Sequence, residues 1–184
     1  MIIIGLTGLP ASGKGRATSY LVNKYQASRH GFSDSLRDVV RRLKIEENRD
    51  NLQKLSIILR QQFGEDLLAK AMAEDIKHDT HDYIIVEGVR READIIYLRE
   101  LKGFHLISIE ADINTRYKRL STRAQNTDDE GKTFEDFLKD HEKETELLIP
   151  SLMAKAEFKI DNNGTEEDLE KQIDNIIEKI KQYD

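Results

Sequence analysis

Gly8-Leu-Pro-Ala11-Ser12-Gly13-Lys14-Gly15 has the spacing G-x-x-x-x-G-K, the first seven positions of a phosphate-binding loop. The types suit the chemistry. Glycines let the backbone approach a polyphosphate, successive N–H groups converge on its oxygens, and the positive end of a following helix stands behind them. Lys14 then reaches the outer phosphates, while Gly8, Ala11, Ser12, Gly13, Gly15 and Arg16 line the nucleotide. The pattern departs at its last position, where Gly15 replaces the Ser or Thr whose hydroxyl touches magnesium. Arg16 puts a cation in the first helical turn, against the helix dipole, and a bound phosphate would offset it.

Three further groups could work beside the loop. A hydrophobic run, Tyr83 to Val86, ends in Glu87-Gly88-Val89-Arg90-Arg91. At the carboxyl end of a parallel strand, where ligands gather, Glu87 can hold Mg²⁺ through water, and Arg90 and Arg91 face the substrates. Arg116, Arg119 and Arg123 fall at offsets of three and four, one face of a helix. Triphosphate oxygens would satisfy them, and they would neutralise charge on a phosphoryl group in flight. Asp34 and Arg37 open a helix; Asp34 suits its cap, and Arg37 offers a guanidinium to an oxyanion. His78-Asp79-Thr80-His81-Asp82 reads as a solvated loop rather than a metal site, His105 as a satisfied core residue, and Arg60 as a surface residue.

The elements that must position these groups follow from periodicity. Ile2 to Ile4, Tyr83 to Val86, Phe104 to Ile109 and Glu157 to Asp161 read as strands, with a further one over Ser28 to Gly31. Helices are expected over 16–25 (stripe Ala17, Tyr20, Leu21, Tyr25), from Ser33 (stripe Leu36, Val39, Val40, Leu43), and over 52–63, 65–77, 93–101 and 133–148. Pro150 is expected to break the chain before a short helix from Ser151 to Ala156, and Thr165 to cap a terminal helix. Residues 124–133, polar and containing Gly131, read as the mobile segment.

At 184 residues the chain fits one domain, and a net charge of −6 argues against broad nucleic-acid or membrane binding. With no cysteine there is no disulfide and no thiolate metal site, and with no long apolar run the reading is cytoplasmic.

The Lys14-Gly15 pair and the Asp34-x-x-Arg37 segment resemble the nucleoside monophosphate kinases, and Arg119 with Arg123 is similar to the arginines that open the lid of adenylate kinases. The elements Thr133-Phe-Glu-Asp-Phe, His141-Glu-Lys-Glu and Asp161-Asn-Asn-Gly-Thr resemble an archaeal-type group of P-loop kinases related to adenylate, dephospho-coenzyme A and deoxynucleoside monophosphate kinases. The resemblance implies a three-layer α/β/α fold with a parallel sheet of about five strands. Its core would be 1–32, 78–119 and 148–184, its acceptor arm 33–77 and its lid 120–147. It also implies ATP with Mg²⁺ as cofactors, Lys14, Arg116, Arg119 and Arg123 as catalytic residues, and Asn162 and Asn163 beside the ATP base. Asp34, Arg37, Arg90 and Arg91 would bind a small phosphate acceptor, in a monomer or homodimer. A nucleoside or deoxynucleoside monophosphate is the expected acceptor. Dephospho-coenzyme A stays open because the turn near the C-terminus looks similar to that of its kinase, and a nucleotide-driven regulatory protein with little acceptor kinase activity stays open because the hydroxyl after Lys14 is missing.

Overall fold

The computed structural model describes residues 1–123, 133–140 and 144–183. Strand β1 (Ile2–Thr7) is followed by helix α1 (Lys14–Tyr25), β2 (Ser28–Gly31), α2 (Phe32–Arg42), α3 (Arg49–Phe63) and α4 (Leu67–Lys77). Then come β3 (Tyr83–Glu87), α5 (Glu92–Ile95), a 3₁₀ turn Leu98–Glu100, β4 (Phe104–Glu110) and α6 (Ile113–Arg123). Helices α7 (Phe134–Asp140), α8 (Glu144–Leu147) and α9 (Ile149–Ala154), strand β5 (Phe158–Asp161) and helix α10 (Glu166–Tyr183) complete the chain.

The five strands form one parallel sheet in the order β2-β3-β1-β4-β5. The β-branched run at the start of the chain makes β1 its centre, and the two-residue period sends alternate side chains to opposite faces. Ile2, Ile4 and Leu6 pack with Ala17 and Leu21 of α1 and with Leu169, Ile173 and Ile177 of α10. Ile3 packs on the other face with Phe32, Leu68, Met72, Ile95 and Leu152. Helices on both faces give the three-layer α/β/α architecture that the resemblance implied.

Several local expectations are corrected. In α2 only Leu36 and Val40 of the expected stripe are buried, Leu36 among Leu68 and Met72, while Val39 and Leu43 are exposed. The helix expected over 93–101 divides into α5 and a 3₁₀ turn. The break expected at Pro150 falls at Leu148, between α8 and α9, and Pro150 itself sits in the first turn of α9, where its missing N–H has no helical acceptor to lose. Thr165 caps α10 as expected, its hydroxyl accepting from the Asp168 N–H while the Asp168 carboxylate accepts from the Thr165 N–H. The segment expected to be mobile, 124–133, lies outside the described residues except for Thr133, and the lid reading of 120–147 is described only where α6, α7 and α8 supply it.

Arg60, expected at the surface, is buried. Its Nη1 donates to the Glu65 carbonyl at 2.8 Å and its Nη2 to Asp94 Oδ1 at 3.2 Å. Both partners of the Arg60–Asp94 pair are under one-tenth exposed, so the pair ties the arm helices to the core beyond β3. The other oxygen of Asp94 accepts the backbone N–H groups of Arg90 and Arg91, each at 3.0 Å, and so fixes the turn that presents these two residues.

Candidate active site

The carboxyl ends of β1 and β3 lie side by side, with Gly5 opposite Val86, and β2 ends with Gly31 opposite Glu87. This is the edge at which open parallel sheets bind ligands. The loop after β1 closes tightly on its surroundings. A side chain at Gly8 would strike the Ile109 carbonyl, and one at Gly13 would strike the Asn162 amide. Gly13, at φ 110, starts α1, and Ala11 also sits in the left-handed region at φ 61. Asn162 Nδ2 donates to the Ser12 carbonyl at 2.7 Å. Asn162, buried at the end of β5, is thus the residue that seats the loop. Asn163, expected beside the nucleotide, is exposed and accepts the Asp112 N–H at 2.8 Å instead.

Lys14 folds back over the loop and donates to the Gly8 and Leu9 carbonyls at 2.6 and 3.0 Å. Loss of water lowers its pKa to about 8, with the Arg90 and Arg116 cations pushing the same way and Glu146 and Glu87 pushing back. Lys14, Glu87, Arg90, Arg116 and Glu146 therefore share one electrostatic neighbourhood. An excess of cations around a backbone cradle suits a polyanion.

Glu87 is held by both oxygens. Thr18 donates its hydroxyl to Oε1 at 2.6 Å, and Arg29 donates Nε to Oε2 at 2.7 Å. Arg29 also reaches Asp34 at 3.3 Å. Desolvation works against the charge of Arg29, but Glu87 and Asp34 more than restore it and raise its pKa. Among the described residues no cluster of three or more His, Asp or Glu side chains could hold a metal by itself. Glu87 is the carboxylate that a cation at the carboxyl end of β3 would meet, with its two oxygens now held by Thr18 and Arg29.

The three arginines of α6 are not equivalent. Arg116 is buried, donating Nη1 to the Pro10 carbonyl at 3.3 Å and Nε to the Ala111 carbonyl at 3.1 Å, with its guanidinium 5.5 Å from the Phe137 ring centre. These contacts tie the loop to α6 and α7 at the residue expected from spacing to meet triphosphate oxygens. Arg119 keeps a buried Nη1 with no hydrogen-bond partner, as does Ser12 with its Oγ beneath the loop. The side chain of Arg123 lies outside the described residues.

On the acceptor side, Asp34 occupies the third position of α2 rather than its cap and accepts the Gly31 N–H at 2.8 Å. Arg37 bridges Asp34 at 3.2 Å and Glu47 at 3.0 Å. Arg90 pairs with the buried carboxylate of Glu146, and Arg91 with Glu65 at 3.0 Å. Each of the three arginines expected at the acceptor is thus engaged with a carboxylate of the chain itself. Arg16 stands apart from the cradle: exposed, it pairs with Glu166 of α10, which removes the need for a phosphate to offset it. His105 meets Glu157 at 2.8 Å beside Phe158. In the 78–82 loop Asp79 accepts from His30 and His81, which overcome its desolvation and hold its carboxyl well below the usual range.

Thr18, Arg29 and Glu146 were not among the site residues expected from sequence, and Asn162, expected with Asn163 beside the ATP base, donates to the loop carbonyl of Ser12. Thr18 carried a signal, since it lies four positions after Lys14 on the same helix face. Glu146 carried none, because its burial depends wholly on how α8 packs.

The AAA domain family (AAA_18) matches residues 4–146. The UPF0200 protein MJ1399 of Methanocaldococcus jannaschii is 31% identical over 182 residues, 98% of this chain and 91% of that protein. The UPF0200 protein TK1334 of Thermococcus kodakarensis is 30% identical over 190 residues, covering 98% of each. Among solved structures, the shikimate kinase from Bacteroides thetaiotaomicron superposes with a TM-score of 0.62 at 12% identity, covering 98% of both chains, a likeness of fold. A protein from Eubacterium ventriosum gives 0.62 at 18% identity, covering 98% of this chain and 99% of that one. With a P-loop kinase-like fold, a glycine-walled loop seated by Asn162 and a family match over most of its length, the chain belongs to the AAA domain family and to the UPF0200 proteins.

Proposed function

We propose that this protein transfers the γ-phosphoryl group of ATP, taken up with Mg²⁺, to a small acceptor, a nucleoside or deoxynucleoside monophosphate. The observation that carries the reading is Lys14. It stands at a backbone cradle too tight for any side chain at Gly8 or Gly13, with Glu87, Arg90 and Arg116 in its field. The loop amides and Lys14 hold the β- and γ-phosphates, and Arg119, whose buried Nη1 lacks a partner, supplies a further donor to the anion. Magnesium, when bound, screens the phosphate charge, and Glu87, oriented by Thr18, is the carboxylate that reaches it. Arg37, Arg90 and Arg91 meet the acceptor by exchanging their present carboxylates for its phosphate. Phosphoryl transfer asks for this positioning and charge neutralisation more than for a strong base.

The engagement of all three acceptor arginines with Glu47, Glu146 and Glu65 favours a second reading, a nucleotide-driven switch whose arm never takes an acceptor. One experiment separates them. ATP consumption is followed against ribo- and deoxynucleoside monophosphates and dephospho-coenzyme A, with products identified by mass. A phosphorylated monophosphate, lost in Lys14→Ala with the fold intact, supports the kinase. A phosphorylated dephospho-coenzyme A changes the acceptor. Nucleotide binding with no product from any acceptor supports the switch.

A further inference from the structure

Arg29 lies on the short edge strand β2, outside every motif discussed above, yet its guanidinium touches the one carboxylate at the carboxyl end of β3. Nε donates to Glu87 Oε2 at 2.7 Å while Nη1 lies 3.3 Å from Asp34 Oδ2, at the start of the acceptor arm. The opposite Glu87 oxygen is taken by the Thr18 hydroxyl. The two partners differ in kind. Thr18 is buried and neutral, fixed on α1 one turn beyond Lys14, and it orients the carboxylate without competing for its charge. Arg29 is a cation whose side chain is 43% exposed, on a pair that solvent reaches. Such a pair is weak enough to exchange.

A carboxylate that orders a divalent cation or its water shell needs the oxygen that Arg29 now holds. Gly15 offers no hydroxyl to strengthen metal binding, so the contest at Glu87 falls on a site with few other ligands. We infer that Arg29 is a resident counter-cation for Glu87, which a divalent metal displaces, and that the displaced guanidinium, still held by Asp34, turns to the acceptor arm. Metal loading and the charge presented to the acceptor are thereby coupled through one side chain. This rests on the phosphoryl-transfer reading, because it takes Glu87 to be the carboxylate that meets the metal.

The test is Mn²⁺ binding in the presence of ADP, read by electron paramagnetic resonance, for the wild type, Arg29→Gln, Arg29→Lys, Glu87→Gln and the Arg29→Gln/Glu87→Gln pair, with circular dichroism to confirm folding. Removing a competing cation should tighten Mn²⁺ about three- to tenfold in Arg29→Gln. The gain should be smaller in Arg29→Lys, which keeps the charge but loses the Nε contact, and absent when Glu87 is already Gln. Arg29→Lys serves alone if Arg29→Gln does not fold. Unchanged or weaker Mn²⁺ binding in the folded Arg29 variants, or an equal gain in the Glu87→Gln background, overturns the inference and leaves the functional reading standing. Failure of the wild type to bind ADP overturns both.

Discussion

The carboxylate of Glu146, almost wholly buried in α8, pairs with the guanidinium of Arg90 on the turn after β3, and both lie within the electrostatic reach of Lys14. An anion of the chain therefore stands among the cations that a triphosphate would approach. Glu146→Gln removes this competing charge while keeping the shape. It should tighten metal-free ATP by several-fold, about 1 kcal/mol, measured with a fluorescent ATP analogue. Equal affinities would show that Glu146 serves packing alone.

Lys14 gives the site a pH signature. Its value of about 8 in the free protein, lowered by desolvation and then by Arg90 and Arg116, rises again when phosphate oxygens surround it. Near pH 8.5 binding should therefore take up a fraction of a proton, and affinity should fall as pH rises through this region. Calorimetry in buffers of different ionisation enthalpy should show the uptake at about pH 8.5 and not at about pH 6.5. In the free protein the same shift has the opposite consequence for folding. Between about 8 and the ordinary 10.5 the unfolded chain holds more protons, so this group's contribution to stability rises with pH across that window.

The pair formed by Arg60 and Asp94 should be costly to break from either side. Arg60→Ala leaves a buried carboxylate without its partner and should destabilise by roughly 3 kcal/mol. Asp94→Ala should cost more, since it also frees the N–H groups of Arg90 and Arg91. Urea denaturation should rank them in that order, with the double variant well short of the sum.

Gly13→Ala should destabilise by roughly 1 to 3 kcal/mol and abolish nucleotide binding, because the new Cβ meets Asn162 and φ is 110°. Adding Asn162→Ala should relieve the contact but not the backbone strain. Thermal melts should therefore recover only in part.

How far these features could be read in advance depended on the range of the interaction that makes them. The strands were legible because Ile2 to Ile4 and Tyr83 to Val86 are apolar runs whose form owes little to their neighbours. The loop was legible because its glycines answer a local backbone demand. The helical period gives the α6 arginines a common face, yet Arg116 is buried because the Pro10 carbonyl and the Phe137 ring lie where sequence alone cannot put them. Arg60 was misjudged for the same reason: only the packing of α3 beside α5 supplies Asp94. Asn162 and Asn163 are adjacent and alike, and what separates them is the exit direction of β5, a property of the sheet.

The seating of the phosphate loop by Asn162 also has a bearing on synthesis at the ribosome. Gly13 and Ser12 emerge early, but the amide that braces them lies about 150 residues downstream, and the helix α10 that covers Ile2, Ile4 and Leu6 comes later still. A nascent chain can pair β1 with β3 and β4 long before either arrives. It would then expose an apolar sheet face and an unsupported loop until Asn162 and α10 have left the ribosome, so competence for nucleotide should not precede their release.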